Sequence, residues 1–417
     1  MPADISRDSF DARKGYASVV LQQGRLLTDA DWNEQAAIMQ QALRLLSRDL
    51  FGAHAVPPHA PADSFRIDAV ACSMGRIHGR LLAGRYWVDG IPFEALAPSA
   101  FALHDPGTPA MLVMFQASQQ EIAPWQDPAL LDPALQEGSG HLRTRWQWQL
   151  SLLPCDTRID THALAATPDR GRMRARLQPG HDAPGGIPAA AGYLGVDNTL
   201  YRVQILRGGD GHVAPTFAWA RTNGSQQQAL REWIAQSDGR LHVELDAPHA
   251  LDGARVGEWV RFVHASVDTS ALALLQVVSS DGQRMLLQPA EGTSAGDYPL
   301  DGPARLQRWH HPGSAAHGGG VAITPDRWFA LEHGIEVAFD AGTPLPADDY
   351  WLIPARAGAS LPEWVDDTPQ PAHGPQRVQA PLALLQRDDA DAAGLSCIDL
   401  RWQVRLERTP AAATHQD

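Results

Sequence analysis

Lysine is almost missing from this chain. Lys14 is the only one in 417 residues, so the basic side chains, 34 against 48 acidic, are otherwise all arginine. They form no run dense enough for nucleic acid or an anionic membrane surface, and the net charge of −14 argues against both partners. Cysteine is as scarce. Cys72, Cys155 and Cys397 lie far apart with no C-x-x-C pair, and an odd count excludes a full disulfide framework and suits a reducing compartment. No apolar run approaches the ~20 residues of a membrane span. The first residues, Met-Pro-Ala-Asp-Ile-Ser-Arg-Asp, lack the apolar core of a signal peptide. The expectation is a soluble protein made in the cytoplasm, which would leave the cell by a route other than a signal peptide if it acts outside. No Walker loop, dinucleotide fingerprint or EF-hand loop is present.

What the chain does hold is an ordinary globular balance, 44% apolar and 20% charged, with length enough for two or three domains. The 36 glycines and 32 prolines imply many turns and short elements. Thirteen tryptophans sit mostly in strand-like runs, which reads as β-core packing.

Residues 20–35 carry the strongest local signal. A short apolar run, expected as a strand over 18–27, meets Gly24 and then Thr28 or Asp29 as a helix cap, with Asp31 and Glu34 in the first turns complementing the helix dipole. The helix should run to about Phe51 and stop at Gly52. Its apolar positions, Trp32, Ala36, Met39, Leu43, Leu46 and Leu50, are spaced 4, 3, 4, 3, 4, a heptad seam. Such a seam fits either an amphipathic helix lying on its own domain or a helix that meets a neighbouring subunit.

From residue 64 the pattern changes to short alternating runs. Strands are expected at 65–70, 75–81, 85–88, 111–116 and 144–153, with Asp89-Gly90 as a tight turn. A second β block begins at 201–205, with strands at 216–220, 241–245, 259–264, 274–278 and 285–288, and further candidates at 335–339, 350–354 and 398–406. The class is mainly β: an N-terminal strand and one long helix, then sandwich- or barrel-like domains that include a small SH3-like or OB-like barrel at about 240–290. The domain reading is an arm and assembly helix (1–60), a first β domain (61–155), a Pro/Gly-rich linker or long loop (156–199), a second β block (200–310), and a C-terminal β segment (311–417) able to complete the first domain.

Several strings invite a chemical reading. Gly292-Thr293-Ser294-Ala295-Gly296 matches the G-x-S-x-G nucleophile elbow, and His317-Gly318-Gly319-Gly320 matches an esterase oxyanion loop. An elbow needs a helix after the serine, where Pro299, Gly302 and Pro303 forbid one. The His-Gly-Gly-Gly string also follows the serine, whereas in that fold it precedes it. His310, His311 and His317 cluster without a cysteine or paired carboxylate at ligand spacing. Glu332 and Glu336, with Asp348 and Asp349, supply carboxylates near aromatic rings, as a glycosidase would. The reading is no catalytic residue, no cofactor and no metal.

The chain resembles, along nearly its whole length, an uncharacterised bacterial domain family often encoded beside phage-tail-like contractile-injection genes. The segments that carry the resemblance are spread widely: Ser6 to Asp11 with Tyr16, Gln22-Gln23-Gly24-Arg25, Asp29 to Gln35, Gly84 to Gly90, Glu121 to Pro128, Asn198 to Val203, Phe217 to Ser225, Gly334 to Val337, and Asp349 to Arg356. Trp309-His310-His311 departs from an Arg-Trp-Asp-like pattern there. The opening block is also similar to the start of tail-fibre and baseplate-wedge proteins. The resemblance implies a non-enzymatic adaptor subunit of a contractile particle, at the baseplate periphery or at a fibre attachment. Its assembly interface would comprise Arg25, Trp32, Met39, Leu43, Leu46 and Leu50. Its partners would be copies of itself, with a trimer favoured, and other particle subunits. Alternatives are a surface- or glycan-binding module using loops at Trp125 and Trp364, and a hydrolase using Ser294 or the acidic residues.

Overall fold

The computed structural model describes residues 5, 8–132, 134, 141–155, 168–177, 192–209, 213–247, 253–299, 301–358, 364, 368–387 and 394–404. The fold is mainly β, with one long helix, and the chain divides into two compact units. One unit takes residues 8–118, 146–168 and 377–417; the other takes 1–7, 119–145 and 169–376. The strands after residue 376 return to the first unit, whereas 311–376 belong to the second.

In the first unit the helix Asp29–Phe51 is followed by three sheets. The hairpin Gly84–Val88 and Ile91–Ala95 pairs with a two-residue strand, His54–Ala55. A second sheet joins Ile67–Ser73, Arg76–Leu81 and Ser99–His104. The third runs in the order Leu395–Asp399, Arg377–Arg387, Ala110–Ile122, Arg143–Pro154. Strand Ala110–Ile122 starts with six consecutive buried residues, as a central strand covered on both faces must, while Arg76–Leu81 alternates. The ladder between Ala110–Ile122 and Arg377–Arg387 slips by one residue between Pro381 and Ala383, where proline has no N–H to give. Phe65, Tyr86, Phe93 and Phe115 form the aromatic centre of the core, with Phe93 and Phe115 edge-to-face at 4.8 Å.

The expected strand over 18–27 is absent. That segment has a turn at Gln23-Gly24 but forms no ladder, because no neighbouring strand offers it hydrogen bonds. Its backbone finds a side chain instead: the Val19 N–H donates to Gln35 Oε1 at 2.6 Å.

The second unit holds two four-stranded sheets and a closed barrel. One sheet runs Val321–Ala322, Thr216–Ala220, Thr199–Arg207, Tyr350–Ala355; the other runs Phe329–Ala330, Ile335–Phe339, Arg172–Leu177, Gln370–Pro371. Their inward faces share one core that includes Tyr201, Val203, Phe217, Val337, Phe339 and Trp351. Strand Arg172–Leu177 lies inside the expected linker 156–199, and residues 156–167 and 178–191 of that linker lie outside the described residues.

Six strands close the barrel in the order Gln227–Ala235, Leu241–Leu245, Arg284–Pro289, Leu275–Ser280, Trp259–His264, Ala304–Trp309. It is wider in sequence than 240–290, since closure needs Gln227↔Gln307 and its neighbours at the two ends. The barrel is an insertion. The chain leaves the sandwich after Thr216–Ala220 and returns at Val321–Ala322, which pairs back onto the strand it left.

Candidate assembly surface

The helix starts and stops for local reasons. Thr28 caps it: its Oγ1 accepts from the Asp31 N–H at 3.2 Å while the Asp31 carboxylate accepts from the Thr28 N–H at 3.2 Å, a reciprocal capping box. At the other end Gly52, at φ 74°, turns the chain out of the helix while its N–H donates to Arg48 O at 2.8 Å.

One face of this helix is held by its own unit. Arg44 donates through Nε to the carbonyl of Asp89 at 3.0 Å and through Nη2 to its carboxylate, and Arg48 Nη1 lies 3.2 Å from the same carboxylate. Asp89 is the first residue of the Asp-Gly turn, and its own N–H donates to Ala53 O at 2.7 Å. Phe51 packs on Trp87 with ring centroids 5.2 Å apart. Further along, Ser9 Oγ donates to Glu34 Oε2 at 2.6 Å, so the arm follows the helix. Ile38 is the only buried residue of the helix. The partly buried positions, among them Asp31, Glu34, Gln41, Arg44 and Phe51, recur with it at helical spacing and define the inward line.

The heptad seam lies elsewhere on the cylinder and is uncovered. Trp32 is 67% exposed, Met39 58%, Leu43 62%, Leu46 56% and Leu50 61%. Arg25 on the arm is exposed as well. With Tyr16, Val20, Leu21, Leu26, Leu27 and Leu45, these five apolar residues make eleven of the twenty-three exposed large apolar side chains among the described residues, within 35 positions. Scattered exposed apolar residues need no explanation, but a contiguous set does. The residues that sequence spacing groups as a seam are exposed in the structure; spacing does not reveal that Arg44, Arg48 and Asp89 hold the face opposite.

A second constellation sits in the other unit, where three of the resemblance segments converge. Arg221 holds Glu332 by two guanidinium–carboxylate bonds, and the Tyr201 hydroxyl donates to Glu332 Oε1 at 2.9 Å. Tyr193 and Tyr201 hydroxyls lie 3.4 Å apart, and Trp219 stacks on His310 at 6.0 Å. Burial pushes the Glu332 carboxyl up, but hydrogen bonds from Arg221 and Tyr201 outweigh it and hold the group below its ordinary range. Nearby, Arg202 is buried under the Tyr350 ring at 3.5 Å and donates to Gln204 Oε1 at 2.9 Å and Asn223 Oδ1 at 3.2 Å; burial lowers its pKa. The carboxylates are thus spent on arginine and tyrosine, an arrangement that builds a rigid polar core.

The other candidates disperse. Ser294 caps a single 3₁₀ turn, its N–H donating to Asp297 Oδ2 at 2.7 Å, with no strand–turn–helix elbow around it. Gly319 of the His-Gly-Gly-Gly string packs its backbone against Leu274 and Trp259, and its carbonyl accepts from His311 Nε2 at 2.6 Å. Glu336 pairs with Arg176 at 2.8 Å, and Asp348 accepts from Gln204 at 2.9 Å. Trp125 is half-buried with Arg305 over its ring at 5.1 Å, and Trp364 is half-buried against the sandwich core, 6.0 Å from His373; neither is an exposed loop tryptophan. Among the described residues no group of three or more His, Cys, Asp or Glu side chains is placed to hold a metal ion, and no helix is long and apolar enough to cross a membrane.

No curated protein and no solved structure matches this chain. A family of unknown function, DUF6519, matches residues 1–110 and 94–398, which together span nearly all of it. The chain therefore belongs to the DUF6519 family.

Proposed function

We propose that this protein is a non-enzymatic structural subunit that joins a larger assembly through residues 16–50. The observation that carries the proposal is the uncovered apolar seam on a helix whose opposite face is already fastened by Arg44, Arg48 and Asp89. An amphipathic helix that only served its own domain would turn the apolar face inward and the polar face out. Here arginines and a capping carboxylate face inward and leucines face out. Covering a large apolar side chain contributes roughly 1.5–3 kcal/mol, so five such residues supply a stable contact even after ordering costs.

The finer reading is an adaptor of a phage-tail-like contractile particle, at the baseplate periphery or at a fibre attachment. It is supported by the likeness of the opening block to tail-fibre and baseplate-wedge proteins. The β units would act as the rigid body and outward surface. The test is expression with the neighbouring genes, sedimentation of particles, and detection of the chain by mass spectrometry. A Leu43→Glu/Leu46→Glu variant should remain folded by circular dichroism and be missing from the particles. Undiminished incorporation of the folded variant would refute the reading.

A further inference from the structure

We infer that the seam's partner is a second copy of the same helix, running antiparallel about a two-fold axis near residue 41. This rests on the assembly reading above and names its partner. Three features of the helix point to it.

The first is charge. The seam is flanked by Asn33, Gln35, Gln40, Ala42 and Ser47, and only Asp49 beside it is charged. A strongly charged partner or an anionic lipid surface finds no counter-charge there, whereas an identical uncharged flank meets no repulsion. The second is polarity along the axis. Asp29 and Asp31 stand in the first turn. Parallel copies would bring these acidic ends together; antiparallel copies separate them and oppose the helix dipoles.

The third is side-chain volume. In an antiparallel pair centred on residue 41, Trp32 meets Leu50, Ala36 meets Leu46 and Met39 meets Leu43, so every layer joins a heptad a position to a d position. A parallel pair would stack two indoles directly against two alanine methyls one layer away, a mismatch that leaves overpacking beside a void. A two-fold contact of this type is self-complementary and closes, which a particle subunit can use without growing a filament. It differs from the trimer favoured by the sequence, and the two are separated by the mass in solution.

The experiment is sedimentation equilibrium on the full chain, followed by disulfide trapping. A Trp32→Cys protein is mixed with a Leu50→Cys protein under mild oxidation, and the cross-linked peptides are mapped by mass spectrometry. The expected result is a dimer mass, at least tenfold more 32–50 mixed cross-link than either like-with-like link, and a monomer mass for the Leu43→Glu/Leu46→Glu variant. A trimer, or 32–32 and 50–50 links in excess, would overturn the antiparallel pairing. A monomeric wild-type chain would overturn the self-partner altogether while leaving the assembly reading to stand or fall on particle incorporation.

Discussion

Arg44, midway along the helix, grips both the main-chain carbonyl and the carboxylate of Asp89, the first residue of the tight turn between strands Gly84–Val88 and Ile91–Ala95. That grip sets the rotation of the helix and therefore decides that Trp32, Met39, Leu43, Leu46 and Leu50 face solvent. Asp89→Asn keeps a residue that tolerates its φ of 51° but removes the charge beside two arginines. Loss of a charge-assisted hydrogen bond here should cost about 2 kcal/mol. The denaturant midpoint should fall, and helix 29–51 should exchange its amide hydrogens faster than the sheets do.

Gly90 completes the same turn at φ 77°, and a Cβ placed there would lie 2.5 Å from the carbonyl oxygen of Arg44 and 2.9 Å from its Cα. Both atoms are backbone and cannot swing away. Gly90→Ala should therefore destabilise by about 3 kcal/mol, from left-handed strain plus displacement of the helix. Thermal unfolding checks it. A substitution confined to strain, at a turn with open space such as Gly107→Ala, should cost less.

The two sides of the helix should respond oppositely to truncation. Ile38 is 7% exposed, and Ile38→Ala should cost about 2–3 kcal/mol of folding stability. Leu43→Ala and Leu46→Ala, at exposed positions, should stay within about 0.5 kcal/mol of wild type for the isolated chain while weakening its association. Chemical denaturation at a concentration low enough to dissociate copies separates the two effects.

Acid should weaken the second unit through three buried histidines. His310, His311 and His373 are each pushed down to about 4, chiefly by burial, with Arg308 and Arg221 adding to it at His310 and Arg170 and Arg202 at His373. Unfolded, they titrate near 6.5. Between those values the unfolded state binds more protons, so the stabilisation is complete above pH 6.5 and drains as pH falls toward 4. Each histidine could remove up to about 3 kcal/mol. Denaturant midpoints at pH 7.5, 6 and 4.5 should fall in that order. His373→Gln, which retains an acceptor for the Leu352 N–H that His373 Nδ1 takes at 3.0 Å, should flatten the slope.

The parts of this fold that were legible in the sequence are those set by local physics. Thr28, Asp31 and Gly52 announce the helix ends through caps, and Asp89-Gly90 announces its turn because few residues accept positive φ. Strands at 216–220, 241–245, 259–264 and 335–339 followed from alternation or from short apolar runs. Strand Arg172–Leu177 carries the alternation of a strand, three arginines against Met173, Ala175 and Leu177, but its Pro/Gly-rich surround reads as a loop. Strand Gln227–Ala235 was obscured by glutamines and a bulge near Leu230 and Glu232. Nesting of the barrel within the sandwich is a long-range property of strand pairing, and no local pattern encodes that Phe217 pairs with Val321. The Tyr201–Glu332–Arg221 cluster has the same character: its members lie 20 to 131 positions apart, and only convergence of the family segments hints at it.

The most direct measurement is hydroxyl-radical footprinting of Trp32 and Met39, comparing the intact assembly with the purified Leu43→Glu/Leu46→Glu chain. Their side chains are 67% and 58% exposed in the single chain. The account predicts slow oxidation of both residues in the assembly and rapid oxidation in the variant, with exposed Met74, far from the helix in sequence, reacting equally in each. Equal oxidation of Trp32 and Met39 in the two samples would contradict the claim that this seam is where the protein docks.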